Sequence, residues 1–523
     1  MSAFHPLVYR VPFRLNRRSF LRGAAAVSAG LPSQTLWAAA SASASGFVPS
    51  QLIATSGSGR QVTLTSADVK DLRAALSGQL MLAADPGYEQ ARRVWNGSIN
   101  RHPALIARCA TRKDIVRAVQ FARSHALLTA VKGGGHSISG QSTCEGGLLI
   151  DLSLMRGIQV DPAGRLARAQ PGVLLAELDA QCQKVGLVTT LGTASDTGIA
   201  GLTLGGGQGR LMRKLGLACD NIRSFELVTA DGRIRTVSAK ENRDLFWALR
   251  GGGGNFGIVS AFEYHLHPLA HPVLAGGRMY PFSLSAPVIR GIIDMADQAP
   301  DELYLSVSIV NDDGGNGLQP GRYVAAELVY AGDPRAGERF LTQLGKLGKP
   351  VTDTITAKPY LVAQNGPTGA APRAMPPGLG VYVRSGFTST PSDTLIRDMI
   401  HAFEQGPPWL DEIGLGPQGG AVARIKPDAT AFWNRGAQYE LILDGLWADH
   451  SQDPHNIAVL RDMWKAFEPS MKGYYVNTEP SAAEQRLRAT YGDNYSRLVQ
   501  LKNQYDPTNL FRLNANIKPS VVG

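Results

Sequence analysis

Residues 131–140 read VKGGGHSISG, three consecutive glycines followed by a histidine and by small polar residues. A sharp turn needs one glycine or two, because few positions require a positive φ or the complete absence of a side chain. Three glycines in a row therefore indicate that a large group comes close to the backbone here. His136 stands next to this bare segment, where its imidazole either holds that group or is an ordinary polar residue on a loop.

Two further glycine clusters follow, GGGQG at residues 205–209 and GGGGNFG at residues 251–257. The second has the G-x-G-x-x-G spacing of a dinucleotide-binding loop, which requires a strand before it and a helix after it. Here a helical pattern precedes the cluster and a β-branched, aromatic segment follows, so a Rossmann domain is not expected. Loops without side chains offer main-chain N–H groups to phosphates. The alternative is that all three clusters are turns of ordinary hairpins.

The composition of the whole chain predicts a globular protein with two domains. It has 523 residues, of which 44% are hydrophobic and 18% charged. The formal charge is +10, but residues 1–45 contain five arginines and no acid, so +10 minus 5 leaves about +5 for the remainder. That charge provides no basic stripe and argues against nucleic-acid binding. No apolar run after the N-terminal region has the length of a membrane anchor.

The N-terminal region has the pattern of an export signal. Residues 16–23 read NRRSFLRG, and a weakly apolar segment with Ala-x-Ala triplets follows. This pattern predicts a bacterial twin-arginine signal over residues 1–45, with export of the folded protein to the periplasm or the medium and the export machinery as a partner. The four cysteines are widely scattered without metal-ligand spacing, so no metal site is predicted and their pairing stays open.

Short-range patterns predict a mixture of helices and strands. Residues 111–125, TRKDIVRAVQFARSH, predict a helix with Thr111 and Asp114 at the spacing of a capping box. After residue 272 longer alternating segments predict strands of a second domain. The other predicted elements are strands at 147–154, 158–161, 303–310 and 323–330, a hairpin at 224–237, and helices at 173–185 and 482–504.

Four separated segments carry a family resemblance: AVKGGGHSISGQSTCEGGLLID (130–151), GIAGLTLGGGQGR (198–210), YGDNYSRLVQLKNQYDP (491–507) and LNANIKP (513–519). They resemble FAD-linked oxidases of the berberine-bridge-enzyme and oligosaccharide-oxidase type, in the vanillyl-alcohol-oxidase superfamily. The resemblance implies an α+β fold with a two-subdomain FAD-binding domain of the PCMH type at residues 66–272. An antiparallel-sheet substrate domain is expected at 273–480, and a C-terminal segment at 481–523 is expected to return to the FAD domain.

The resemblance also implies the residues that hold the cofactor. His136 falls at the position that the family joins covalently to the 8α carbon of the flavin. Many members add a cysteinyl link, but Ala194 stands at that cysteine's position, so a single link through His136 is predicted. Ile199 falls at a position that faces the flavin in the family. The other expected FAD contacts are Gly133, Gly134, Gly135, Ser137, Gly140, Gly198, Gly201, Gly205, Gly206, Gly207, Gly257, Ile258, Val259, Asn514 and Asn516.

Oxidation of a substrate by hydride transfer also needs a proton acceptor near the reacting carbon. The resemblance points to two segments, FWNRGAQYELILDGLW (432–447) and GYYVNT (473–478). They present three candidate bases, Tyr475, then Glu440, then Tyr474. Some members have a tyrosine where this chain has Thr478, which leaves the assignment open among the three.

These features together predict an exported FAD-dependent oxidoreductase. It is expected to oxidise a CH–OH or C–N group of a small molecule by hydride transfer to covalent flavin, with O₂ as acceptor. A dehydrogenase that passes electrons to a quinone or carrier is the alternative, and a binding module without catalysis is a third reading. The sequence leaves the substrate open among sugars, alkaloids, phenolic alcohols and secondary-metabolite intermediates.

Overall fold

The structure, a computed structural model, describes residues 48–314, 318–365, 378–479 and 483–520. The export signal predicted at residues 1–45 lies outside the described residues. The helices, in chain order, are α1 Ser66–Ala75, α2 Tyr88–Arg92, α3 Arg112–Ser124, α4 Leu175–Gln183, α5 Ile199–Leu204, α6 Met212–Leu215, α7 Arg243–Ala248, α8 Ser285–Asp297, α9 Pro334–Gly345, α10 Tyr360–Asn365, α11 Asp393–Gln405, α12 Asp453–Trp464, α13 Glu484–Tyr491 and α14 Asn494–Tyr505.

Most strands belong to three sheets, and the mixture of helices with largely antiparallel sheets confirms the predicted α+β class. The strands, in chain order, are β1 Gln51–Thr55, β2 Gln61–Thr65, β3 Gln79–Met81, β4 Leu105–Arg108, β5 Thr129–Lys132, β6 Leu148–Asp151, β7 Ile158–Asp161, β8 Leu166–Ala169, β9 Leu187–Val188, β10 Ile222–Val228, β11 Ile234–Ser238, β12 Ile258–His265, β13 His267–Pro268, β14 Val273–Pro281, β15 Leu303–Asp312, β16 Gly321–Tyr330, β17 Thr352–Asp353, β18 Thr356–Lys358, β19 Gly380–Thr388, β20 Leu410–Pro417 and β21 Tyr439–Trp447.

The first sheet places the glycine-rich loop. Its order is β3-β4-β6-β5, and β4 and β5 both run parallel to β6. Helix α3 packs its apolar face against this sheet, and the predicted capping box is confirmed, because Thr111 Oγ1 accepts the N–H of Asp114 while the Asp114 carboxylate accepts the N–H of Thr111. Strand β5 ends at Lys132, so the loop that follows leaves the carboxyl edge of the parallel strands.

The second sheet, β11-β10-β12-β8-β7, is antiparallel. The predicted hairpin at residues 224–237 is confirmed as β10 and β11. The glycine cluster at 251–257 follows helix α7 and precedes strand β12, the reverse of the order that a Rossmann loop requires. The C-terminal helices α13 and α14 pack on the core of this sheet.

The large sheet forms the third layer. Its order is β17-β14-β16-β15-β20-β21-β19, with β18 paired to β14. One face packs against helices α8, α11 and α12 through the largest apolar core. Along β15, Leu305 and Val307 point into that core, whereas Ser306 and Ser308 line the cavity described below. The strand alternation therefore separates an apolar face from a polar one.

One predicted element is wrong in its extent. The single helix expected at residues 482–504 is two helices, α13 and α14. The break lies at Gly492, whose φ of +49° is unfavourable for other residues and where a Cβ atom would collide with the Trp433 side chain. In the part of the chain that the structure describes, no helix is both long and apolar enough to cross a bilayer.

Candidate active site

A cavity of about 510 Å³ lies between the glycine-rich loops and the polar face of the large sheet. The loop side contributes most of the residues that the sequence predicted as cofactor contacts. Those lining the cavity are Gly133, Gly134, Gly135, His136, Ser137, Gly198, Gly201, Gly257, Ile258, Val259 and Asn514.

His136 lies in the loop after β5, held on two sides. Its ring stacks on Trp95 with a centroid separation of 4.2 Å. Asp196 Oδ1 is 3.4 Å from the His136 Nε2 atom, yet Nε2 is buried and makes no hydrogen bond to a described residue. The imidazole is thus oriented by its neighbours, with Nε2 facing Asp196 and no hydrogen bond from a described residue on either ring nitrogen.

The glycines beside His136 have different physical reasons. A Cβ atom on Gly134 would lie 2.5 Å from the backbone of Gly198, so these two loops touch where neither has a side chain. Gly135 has a φ of +74°, a conformation that favours glycine. The expectation that all three glycines clear space for a ligand is therefore only part of the explanation, since Gly134 also allows the contact between loops.

The same loop offers hydrogen-bond donors. Residues 134–139 line the cavity, and their main-chain N–H groups donate to no described residue. Gly135 is buried, Gly134 is exposed and the other four are half-buried. Successive N–H groups in a concave loop bind anions, so this segment suits a phosphate.

Five other residues predicted to contact the cofactor do not line the cavity. Gly140 packs against Ile99, whereas Gly205 and Gly206 leave room for the side chains of Asn477 and Phe432. The remaining two are Gly207 and Asn516, of which Gly207 donates its N–H to the Tyr475 hydroxyl at 3.1 Å. Within the cluster at 205–209, the first three glycines thus support residues that face the cavity, whereas Gln208 and Gly209 line it.

The expectation that Ile199 faces the flavin is wrong, because this residue does not line the cavity. It is the first residue of helix α5 and is fully buried in the core of the second sheet. Thr197 and Ala200 line the cavity at this point.

Two of the three candidate bases lie in the cavity. Tyr475 lines it, and its hydroxyl oxygen accepts hydrogen bonds from the Gly207 N–H and from Asn477 Nδ2 at 2.9 Å. Glu440 lies on the cavity face of β21, and its Oε1 atom is buried without a hydrogen-bond partner among described residues. The fold thus brings together two residues that lie 35 positions apart, one from each segment that the sequence indicated.

The two groups differ in their ionisation. Burial raises the pKa of Glu440 to about 7, although the neighbouring Ser385 and Gln208 side chains oppose the shift. Burial, and next the charge of Glu440, raises the pKa of Tyr475 above its usual value. Glu440 is therefore the group that ionises near neutral pH.

Tyr474 lies outside the cavity. It packs in the core between the large sheet and its helices, where its hydroxyl donates to Glu468 at 3.2 Å. The guanidinium of Arg486 lies 4.5 Å from the centre of its ring. This environment holds Tyr474 away from any ligand in the cavity.

The sequence missed two further carboxylates that line the cavity, Glu327 on β16 and Glu412 on β20. Arg210 donates to Glu327 at 2.7 Å, while the Ser308 hydroxyl donates to Glu412. In the sequence each of these glutamates is a polar residue in an alternating strand pattern, and the same pattern is typical of strands that face solvent. None of the described residues lining the cavity is Lys or Arg.

Comparison with known proteins agrees with this geometry. A family profile described as FAD binding domain matches residues 103–238, and one described as berberine and berberine like matches residues 474–518. An FAD-linked oxidoreductase of Dictyostelium discoideum is 31% identical over 456 residues, which cover 86% of this chain and 97% of the relative. The (R)-6-hydroxynicotine oxidase of Paenarthrobacter nicotinovorans is 31% identical, with 85% of this chain and 97% of the relative covered.

Solved structures agree as well. The crystal structure of 6-hydroxy-D-nicotine oxidase from Arthrobacter nicotinovorans has a TM-score of 0.76 at 28% identity and covers 85% of this chain and 98% of its own. Glucooligosaccharide oxidase from Acremonium strictum has a TM-score of 0.76 at 23% identity, covers 86% of this chain and 99% of its own, and shows the shared fold.

The fold and the cavity define an FAD-linked oxidoreductase of the vanillyl-alcohol-oxidase type. The chain belongs to the berberine-like family of FAD-linked oxidoreductases, which confirms the predicted family, its fold and its FAD cofactor. The residues present fit that cofactor. The free N–H groups at 134–139 suit its diphosphate in a wall without cations, and the buried Asn514 Oδ1 and His136 Nε2 atoms lack partners of their own.

Proposed function

We propose that this enzyme oxidises a CH–OH or CH–N carbon of a small molecule and passes the two electrons to O₂, releasing hydrogen peroxide. When bound, FAD supplies the hydride acceptor of this reaction. The proposal depends on one observation: the loop at 134–139, whose N–H groups suit a phosphate, and the side chains of Glu440 and Tyr475 line the same cavity.

Glu440 is the proposed proton acceptor. A general base works best with a pKa near the operating pH and with a lone pair free to accept the proton. The pKa of Glu440, about 7, and its unpartnered Oε1 atom meet both conditions. Tyr475 meets neither, because its pKa is raised and its oxygen already accepts two hydrogen bonds. We assign Tyr475 the role of orienting the substrate beside Glu440.

His136 is the proposed single covalent attachment of the flavin, at the 8α carbon. Its ring is fixed by Trp95 and Asp196 and has one nitrogen without a hydrogen bond. Attachment there would replace a C–H bond of the flavin methyl group and the N–H bond of His136 by a C–N bond, and O₂ would take the two electrons and two protons as peroxide. A neighbour in structure, glucooligosaccharide oxidase, is described with both a cysteinyl and a histidyl link. Here Ala194 lines the cavity, and no cysteine is among the described lining residues.

The names of the relatives support oxidation without selecting a substrate. One relative is a hydroxynicotine oxidase, and neighbours in structure include xylooligosaccharide and chitooligosaccharide oxidases.

The experiment is a panel of alcohols and amines mixed anaerobically with the purified, FAD-loaded protein, followed by readmission of air. Bleaching of the flavin absorbance and then stoichiometric peroxide are expected. Bleaching without peroxide would mean that the electron acceptor is not O₂, and a colourless protein would overturn the proposal.

We further propose export by the twin-arginine route to the periplasm or the medium. The paired Arg17 and Arg18 and the apolar segment after them support it. Fusion of residues 1–45 to a reporter that is active only when folded tests the proposal. Export is expected for the native segment and its loss for the R17K/R18K pair, and a reporter retained in the cytoplasm with the native segment would contradict it.

A further inference from the structure

Charge is distributed unevenly over the walls of the cavity. The loop side is formed by glycines, small polar residues and His136, whereas the sheet side carries Glu327, Glu412 and Glu440. Since no Lys or Arg is among the described lining residues, the sheet side is the acidic end of a cavity that otherwise carries little charge.

One of the three carboxylates is already neutralised. Arg210, whose side chain is 1% exposed, lies behind the wall and donates to Glu327. The same guanidinium donates to the main-chain oxygen of Thr193 and to Gln364 Oε1, so its donors are engaged away from the cavity. Arg210 therefore compensates Glu327 and leaves Glu412 and Glu440 without a cation. Burial raises the pKa of both carboxyl groups, and the Ser308 hydroxyl donates to Glu412.

The wall behind these two residues holds a further carboxyl group. Asp444 follows Glu440 and Ile442 on the same face of β21 and lies opposite Glu412 in the register of β20. It is 1% exposed and has no described cation beside it. Burial, and then the charges of Asp411 and Glu412, raises the pKa of Asp444, so this group keeps its proton more readily than a free aspartate. This side of the cavity thus concentrates carboxyl groups that lack a partner of opposite charge.

A buried carboxyl group without a counter-ion keeps its proton to a higher pH, and a bound cation stabilises its ionised form. An alcohol or a sugar would provide hydrogen bonds here but no charge. Building on the proposed function, we infer that the substrate is an amine that binds as its ammonium ion, with the nitrogen placed against Glu412 and Glu440.

The inferred substrate gives Glu440 a defined task. An ammonium ion has no lone pair and cannot release hydride from the neighbouring carbon, so it must first transfer an N–H proton to the free oxygen of Glu440. The neighbouring C–H bond then breaks with its electron pair passing to the flavin, and the nitrogen lone pair forms a C=N bond. The product is an iminium ion, which water converts to a carbonyl compound and a free amine, while O₂ takes the two electrons and becomes peroxide.

The test uses calorimetric binding to the FAD-loaded protein, with three probes that share a phenyl ring and differ in charge: benzyltrimethylammonium, benzyl alcohol and benzoate. None needs turnover to be detected. The cation is expected to bind about tenfold tighter than the alcohol, with benzoate weakest, because a partly buried ion pair at short range contributes a free energy of that order. Binding of the cation should also strengthen as the pH rises through about 7, where Glu440 ionises.

Two variants and a control complete the design. Glu412→Gln and Glu440→Gln are each expected to weaken cation binding about tenfold and to leave benzyl alcohol within about twofold. Asp462→Asn, which removes an exposed carboxylate on α12, should change neither. Equal binding of the cation and the alcohol, or cation binding that survives both Gln variants, would overturn the inference.

This experiment separates the inference from the proposed function. If alcohols bleach the flavin and the cationic probe binds no tighter than benzyl alcohol, the oxidase proposal stands and the inference of an amine substrate is wrong. If the cation binds as expected but no amine or alcohol reduces the flavin, the proposed function fails and the cation site stands.

Discussion

Replacement of Glu440 by glutamine tests which side chain accepts the substrate proton. Glutamine keeps the size of the side chain but cannot ionise. In the unaltered enzyme the Glu440 carboxyl has a pKa of about 7, raised by burial, whereas Tyr475 ionises only above its usual range. In a plot of kcat/KM against pH, a base at Glu440 therefore predicts a rate that falls below about pH 7, and a base at Tyr475 predicts a fall that begins at a higher pH.

The magnitude follows from the pKa of Glu440. Below about pH 7 each unit lowers its ionised fraction about tenfold, so kcat/KM at pH 5 should be about one hundredth of its plateau. The Glu440→Gln variant should lose this limb. Its plateau should fall by about 10²–10⁴, which is the usual contribution of a general base.

The assay is anaerobic stopped-flow bleaching of the flavin between about pH 5 and pH 10, with the substrate's own ionisation measured separately. Tyr475→Phe is the matched variant, since it removes a hydroxyl from the same cavity and should keep the limb near pH 7. A limb near pH 7 that persists in Glu440→Gln, or a limb that moves only in Tyr475→Phe, would refute the assignment of Glu440.

Three further predictions concern the cofactor side and the core. His136→Ala should still bind FAD but release it on acid precipitation, and flavin fluorescence that stays with the polypeptide in a denaturing gel would contradict the link. Gly134→Ala should reduce the flavin-to-protein absorbance ratio about tenfold or more, because its Cβ atom meets a neighbouring backbone, while Gly436→Ala, an exposed position outside the cavity with open space at its Cβ, should load normally. Lys502→Met should lower the free energy of unfolding by about 3–5 kcal/mol in chemical denaturation, since it leaves the fully buried Asp506 unpaired, and Asp506→Leu in addition should restore part of it.

Local sequence signals predicted the elements around the cofactor well. The capping box of Thr111 and Asp114 and the hairpin at 224–237 each depend on residues close in sequence, so their patterns survive without tertiary information. The reversed order around the cluster at 251–257 was predictable for the same reason. The helix at 482–504 failed at Gly492, because one glycine inside a helical pattern is tolerated in some helices and ends others.

The substrate side was less predictable because it depends on which face of a strand is covered. The alternation of side chains in an extended segment predicts that Tyr474 and Tyr475 point in opposite directions. Only the packing of the large sheet determines which of the two lines the cavity. Similarly, Ser306 and Ser308 on β15 gave no sequence signal that distinguishes a cavity wall from a solvated face.

A single irregularity of the sheet separates the faces of Leu410 and Glu412. Strand β20 shifts register against β21 between Leu410, which lies opposite Gly445, and Glu412, which lies opposite Asp444. From Glu412 onward the strand alternates regularly, with Glu412 on the cavity face and Ile413 in the apolar core. In regular alternation Leu410 and Glu412 would share one face, so the extra residue, Asp411, lets Leu410 reach the core while Glu412 stays on the cavity wall. A bulge that changes which side chain faces a site is a recurring feature beside active sites, and here it keeps an apolar side chain at the start of β20 out of the wall that carries the carboxyl groups.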